Sequence, residues 1–180
     1  MTTLARAAVL VLLAVVLAGC PPMRTATDET NKPAPPIAGR DGDGRFMQLS
    51  DYRGKVVLLD FWFSTCGPCR QFNRQEREIV RQYHNRPFVV LGVNADPSPE
   101  LLLKTTKADQ LETRSWWDGP GGPIASSWNV RAFPTLCLID HLGHIRFRVE
   151  GIAPGSLAEM EKKIEQLVRE AEQGAPSQGN

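Results

Sequence analysis

The sequence predicts an α/β sandwich built on a mixed central sheet, and three observations carry that prediction. Val56-Val57-Leu58-Leu59-Asp60-Phe61-Trp62 and Phe88-Val89-Val90-Leu91-Gly92-Val93-Asn94 are apolar runs of strand length, typical of parallel strands buried on both faces. The segment between them has helical periodicity, which completes a parallel βαβ unit. Further on, Leu136 to Ile139 and Ile145 to Val149 flank Leu142-Gly143 as an antiparallel hairpin, and a last helix closes the chain.

Taken in order, residues 1–19 are expected to be a signal peptide outside the fold. Arg6 gives a short positive region, and Ala7 to Ala18 is an unbroken apolar run. At about 12 residues it is short for a bilayer span but suits a secretory signal. The run closes on Leu17-Ala18-Gly19-Cys20, which resembles the bacterial lipobox, where the cysteine is acylated and becomes the first residue after cleavage. An ordinary signal peptide with a coincidental cysteine and a plain transmembrane anchor are the competing readings. Acyl chains on Cys20 would supply roughly 0.8 kcal/mol per buried CH₂. Residues 20–40 hold Pro21, Pro22, Pro33, Pro35 and Pro36 among small polar residues, the composition of a flexible tether.

The folded part is expected over residues 41–172. Arg45 to Leu49 reads as a short strand, and residues 51–55 as a turn into the strand at Val56. A helix is expected from Cys66 to His84, with Phe72, Ile79, Val80 and Tyr83 inward and Arg70, Arg74, Arg77 and Arg81 solvated. Ser98-Pro99-Glu100 reads as N-cap, first position and first-turn acid of a helix reaching Gln110. Arg114 to Trp117 is a further short strand. The last helix opens at Ser156 with Glu159 as a capping box and buries Leu157, Met160, Ile164, Leu167 and Val168. Residues 173–180 read as a disordered tail. The chain has 42% apolar and 23% charged residues and a net charge of +1, with no basic stripe. That gives no reason to expect nucleic acid as a partner.

Cys66-Gly67-Pro68-Cys69 supplies the chemistry. It follows a buried strand and falls on the first turn of a helix, so the two sulfurs can close a disulfide across one turn. Unpaired backbone N–H groups and the helix dipole favour a thiolate at the first sulfur, which makes Cys66 the nucleophile and Cys69 the inner partner. Zinc binding would need a second Cys/His pair, and haem attachment would need a histidine where Arg70 stands.

Asp60-Phe61-Trp62, then Cys66-Gly67-Pro68-Cys69, with Phe133-Pro134-Thr135 far downstream, resembles the thioredoxin superfamily. Leu49-Ser50-Asp51-Tyr52-Arg53-Gly54-Lys55-Val56-Val57-Leu58, the long insert, and Leu138-Ile139-Asp140 running into Gly143 narrow the resemblance to membrane-anchored thiol-disulfide oxidoreductases similar to TlpA and ResA. It covers residues 40–172. The resemblance implies a thioredoxin-like three-layer α/β/α sandwich with an N-terminal β-hairpin and an insert after the third strand. It implies that Cys66 attacks a substrate disulfide and Cys69 resolves the mixed disulfide. Asp60 matches the buried aspartate that takes the proton of the inner cysteine; a strand-end cap or a partner for a lysine is the plainer reading. Pro134 matches a cis-proline facing the disulfide, beside which Phe133 and Thr135 would meet substrate. Trp62 would stand in the wall behind the site, or simply pack.

Two departures bear on partner choice. Thr65 stands where most relatives have tryptophan, and Arg114-Ser115-Trp116-Trp117 belongs to the insert, its tryptophans either bordering a groove or sitting in the core. Cys137 is expected to be a buried, inert thiol, and His84, His141 and His144 surface residues. The function expected is extracytoplasmic thiol-disulfide exchange from a periplasm-facing lipoprotein. It would reduce disulfides of secreted proteins, by analogy apocytochrome c among them, with recharging by a membrane reductant. The Gly-Pro pair suggests a potential nearer roughly −270 mV than −120 mV. A monomer without cofactor or metal is expected. The rival readings are a peroxiredoxin-type peroxidase, disfavoured because Phe63 stands where its threonine belongs, and a copper-delivering protein, whose cysteines are spaced by three residues.

Overall fold

The structure, a computed structural model, describes residues 32–174. Cys20, the apolar run before it, the first part of the expected tether and residues 175–180 lie outside the described residues. In chain order the elements are β1 (Lys32–Pro33), β2 (Ala38–Arg40), β3 (Phe46–Gln48), a 3₁₀ turn (Leu49–Tyr52), β4 (Val56–Trp62), α1 (Gly67–Gln82), β5 (Phe88–Asn94), α2 (Pro99–Ala108), β6 (Arg114–Trp117), α3 (Pro123–Ser127), β7 (Thr135–Ile139), β8 (His144–Glu150) and α4 (Ser156–Gly174).

The main sheet runs β1-β8-β7-β4-β5-β6, with β2 and β3 paired apart from it. β4, β5 and β6 are mutually parallel, whereas β7 and β8 run antiparallel to their neighbours, so the sheet is mixed. Every residue of β4 is buried because it lies between β5 and β7 with both faces covered. Strand alternation then splits its side chains. Val56 and Leu58 join Phe72 and Ile79 of α1, Tyr83 at its C-cap, and Met160, Ile164, Leu167 and Val168 of α4 on one face. Val57, Leu59 and Phe61 join Met47, Leu49, Trp116, Ala125 and Trp128 on the other. Each fully buried Leu, Phe or Ile contributes roughly 1.5–3 kcal/mol, so both clusters are needed to hold β4 rigid beneath the cysteines.

The second outer layer is thinner than the first: α3 has only 5 residues, and the N-terminal hairpin completes the cover. The fold also begins earlier than composition suggests. Within the stretch read as tether, Lys32 and Pro33 pair with Ile145 and His144, and Ala38 to Arg40 pair with Phe46 to Gln48. Ile37 is buried in the second core, and that burial outweighs a polar, proline-rich surrounding. An edge strand tolerates Pro33 because its missing N–H faces away from the ladder. The 3₁₀ turn replaces the end of the strand expected at 45–49. At Ser156 the hydroxyl donates to the Ala153 carbonyl at 2.8 Å instead of serving as an N-cap, and Ser156 is itself the first helical residue. The last helix runs on to Gly174, past the boundary expected at 172, and Leu157 is only partly buried.

Candidate active site

β4 delivers the chain to a three-residue loop before the cysteines, and the end of β5 fastens that loop. Asp96 is buried; its Oδ1 accepts the Ser64 N–H at 2.9 Å and its Oδ2 the Ser64 hydroxyl at 2.5 Å. Asn94 holds Asp96 in turn, donating from Nδ2 at 2.9 Å and accepting the Asp96 N–H at 3.0 Å. Trp117 Nε1 donates to the Asp96 carbonyl at 2.9 Å. These charge-assisted and buried bonds fix the entry into α1.

Cys66 is the N-cap of α1, with φ −76° and ψ 108°, and its Sγ accepts the Cys69 N–H at 3.1 Å. Pro68 sits in the first turn, where its missing N–H leaves no bond unmade. The two sulfurs are joined, with 2.04 Å between them and 5.2 Å between the Cα atoms. Cys66 is 6% exposed and Cys69 is fully buried, so an incoming thiol or disulfide meets Cys66 first. After reduction, the same N–H and the helix terminus favour charge on Cys66.

Beneath the pair lies a buried acidic cluster. Asp60 shares a sheet face with Trp62, which packs against both cysteines. Its carboxyl is buried and neither oxygen has a hydrogen-bond partner among the described residues. Burial pushes its pKa well above the usual carboxylate range, and the neighbouring Glu76 carboxylate pushes in the same direction. Glu76, on α1, is 3% exposed, and burial raises it to about 7 although the Thr113 hydroxyl donates to its Oε1. Opposite Asp60 in the ladder stands Gly92, where a Cβ would come within 2.1 Å of Ser115 Oγ and 2.9 Å of Trp62 Nε1. A side chain there would displace the wall behind the disulfide.

The Phe133–Pro134 peptide bond is cis. Phe133 packs against the cluster formed by Trp62, Cys66, Cys69 and Leu102 and meets Phe63 edge-to-face at 5.2 Å. Phe63 and Phe133 are half-buried and form an aromatic rim, while Thr65 is exposed. Thr135 is fully buried with its hydroxyl bonded to the Ala132 carbonyl at 2.8 Å, so its side chain faces the fold and not a docking partner. Trp62 is likewise buried, in one cluster with both cysteines. The two insert tryptophans separate by strand alternation: Trp116 is core, donating to the Met47 carbonyl at 3.0 Å, whereas Trp117 is 41% exposed. Cys137 is buried, with Arg148 Nη1 3.9 Å from its sulfur. His84 is exposed, and His141 and His144 are half-buried.

The model of the AhpC/TSA family matches residues 30–148. The chain belongs to the AhpC/TSA family. Within it, this AhpC/TSA protein is 28% identical over 123 residues to the thiol-disulfide oxidoreductase ResA of Bacillus thuringiensis subsp. konkukian, across 68% of this chain and 70% of the relative. It is 30% identical over 118 residues to ResA of Geobacillus kaustophilus, across 66% and 67%. A crystal structure from Chlorobium tepidum, named for the thiol:disulfide interchange protein DsbE, is similar with a TM-score of 0.72 and 30% identity, over 79% of this chain and 99% of that one. This AhpC/TSA member is a thiol-disulfide oxidoreductase with a thioredoxin-like fold and a Cys66–Cys69 pair.

Sequence reasoning passed over Ser64, Asn94, Asp96 and Glu76. Glu76 left a signal: Phe72, Glu76, Ile79 and Tyr83 are spaced by four, three and four, which puts the acid in the apolar register of α1. The Asp96–Ser64 tie left none, since it joins residues 32 apart.

Proposed function

We propose that this protein works outside the cytoplasm as a protein-disulfide reductase, held at a membrane by acyl groups on Cys20. Cys66 attacks a substrate disulfide, Cys69 displaces the substrate thiol, and the pair leaves oxidised until a membrane reductant restores it. Phe133 and the backbone before Pro134 receive the substrate strand, and oxidised cysteines of secreted proteins, apocytochrome c among them, are the customers. The observation that carries the reading is Cys66 at the helix start: it is the outer sulfur, it accepts the Cys69 N–H, and Cys69 lies sealed behind it. The names of the ResA relatives support thiol-disulfide exchange as the reaction. Among the described residues no helix is long and apolar enough to cross a membrane.

The test is a Cys69→Ser variant expressed in its native envelope. Attack by Cys66 then ends at the mixed disulfide, and mass spectrometry of the covalent adducts names the customers. Adducts with secreted cysteine proteins are expected. Recovery of no adduct, from a variant whose Cys66 still alkylates, would remove protein disulfides from the reaction.

A further inference from the structure

The acidic cluster reaches beyond Asp60. On the inner face of α1, Cys69, Asn73 and Glu76 follow one another at spacings of four and three, so their side chains stack along one line. All three are buried. Asn73 Nδ2 donates to Asp109 Oδ2 at 2.8 Å, but its Oδ1 has no partner among the described residues. Both oxygens of Asp60 are orphaned likewise. Such groups are normally satisfied by a proton or by a bridging water.

The surroundings of Asp60 decide where its proton goes. Its ladder neighbours are Gly92 and Leu136, and Leu58 and Trp62 share its face of the strand. None of these side chains carries a proton at neutral pH. Glu76 can, and it lines a cleft of about 410 Å³ between α1 and residues 110–113. The two arginines around that cleft are occupied elsewhere. Arg77 donates to the Asp109 carbonyl at 2.7 Å, Arg81 pairs with Glu78, and Glu112 is exposed. From β4, Asp60 faces Glu76; from the segment before β6, Thr113 does.

We infer that Glu76 is the outer station of a proton relay, passing to the cleft the proton that Cys69 gives to Asp60 and returning one when the pair is reduced. The inference rests on the reading of Asp60 as the proton acceptor of Cys69. The Cys69 thiol gives its proton to the Asp60 carboxylate, and its sulfur attacks Cys66 in the mixed disulfide. The Cys66–Cys69 bond forms, the Cys66–substrate bond breaks, and the substrate sulfur leaves as a thiolate carrying the electron pair. The proton moves from Asp60 through a bridging water to the Glu76 carboxylate and out beside Thr113. Glu76 touches no reacting sulfur and acts only through Asp60, so it is a positioning and relay residue.

Reduced protein mixed with an aromatic disulfide such as dithiobis(nitrobenzoate) separates the two steps. The first coloured thiolate reports attack by Cys66, and the second reports resolution by Cys69. With Glu76→Gln, attack should keep its rate and pH profile, while resolution slows by roughly tenfold, a fraction of full general-base catalysis. The resolution profile should also lose its coupled, two-group shape and become a single ionisation at lower pH, because Asp60 no longer faces a second negative charge. Glu76→Asp should restore the two-group shape. An unchanged resolution profile in Glu76→Gln, or attack slowed in parallel, overturns the relay. Asp60→Asn separates the two claims: if it slows resolution while Glu76→Gln does not, the relay alone fails. If Asp60→Asn leaves resolution untouched, the reading of Asp60 fails and the relay with it.

Discussion

Replacing Glu76 with glutamine should stabilise the oxidised protein in alkali far more than in acid. Glu76 moves from 4.5 in an unfolded chain to about 7 in the fold because its carboxylate would be buried. Between those values the folded protein holds a proton that the unfolded chain has released. Stability from this group is therefore complete below about pH 4.5 and is lost as the pH rises through about 7. At about 1.4 kcal/mol per pH unit, the loss is about 3 kcal/mol by pH 8.5 and under about 1 kcal/mol at pH 5. Glutamine has nearly the same shape, keeps a carbonyl for the Thr113 hydroxyl and carries no charge. Any cost of seating its amide is independent of pH and cancels when two pH values are compared. Asp60 adds in the same direction, since its own buried carboxyl loses a repelling neighbour. Urea unfolding of wild type and variant at about pH 5 and pH 8.5 should show the variant's advantage growing by roughly 2–3 kcal/mol between the two. An advantage equal at both values, to within about 0.5 kcal/mol, would refute the claim that a neutral acid is stored there.

Three further outcomes are expected. Asp96→Asn weakens the charge-assisted hold on Ser64 and should cost roughly 1.5–3 kcal/mol, with faster amide exchange over residues 63–66; protection unchanged from wild type would show that the loop is fixed by something else. Phe133→Ala strips one side of the aromatic rim and should raise KM for a peptide disulfide several-fold with kcat little altered, an effect of roughly 1 kcal/mol; a fall in kcat at constant KM would place Phe133 in the chemistry instead. Cys20→Ala should abolish incorporation of labelled palmitate and release the protein from membranes, and a label that persists would end the lipoprotein proposal.

The parts of the fold set by local pattern were legible before any coordinates. β5 has the expected bounds because a continuous apolar run of strand length has one economical use. β4 likewise covers the run from Val56 to Trp62. The start of α1 was legible from the cysteine pair that follows a buried strand. What escaped has two causes. β1 depends on partners far away in sequence, since Lys32 and Pro33 meet Ile145 and His144, which a polar, proline-rich stretch does not announce. α3 is too short to show helical periodicity and is held locally, by the Asp118 carboxylate accepting the N–H groups of Ile124 and Ala125 at 2.9 and 2.8 Å. The same holds at the site. The cysteines announce themselves by spacing and Asp60 was marked by the resemblance, whereas Thr135, read as a substrate contact, turns its hydroxyl inward to Ala132. Glu76 was obscured by the arginines that surround it in α1, and only its place in the apolar register betrays it.

The ionisation of the outer sulfur governs the chemistry of the pair. Alkylation of the reduced protein by iodoacetamide, followed residue by residue across pH, should show Cys66 reacting with a midpoint below the ordinary thiol value of about 8.5, and Cys69 resisting until well above it. If Cys66 titrates at or above that value, or if Cys69 reacts first, neither the helix start nor the burial of the inner sulfur governs this chemistry.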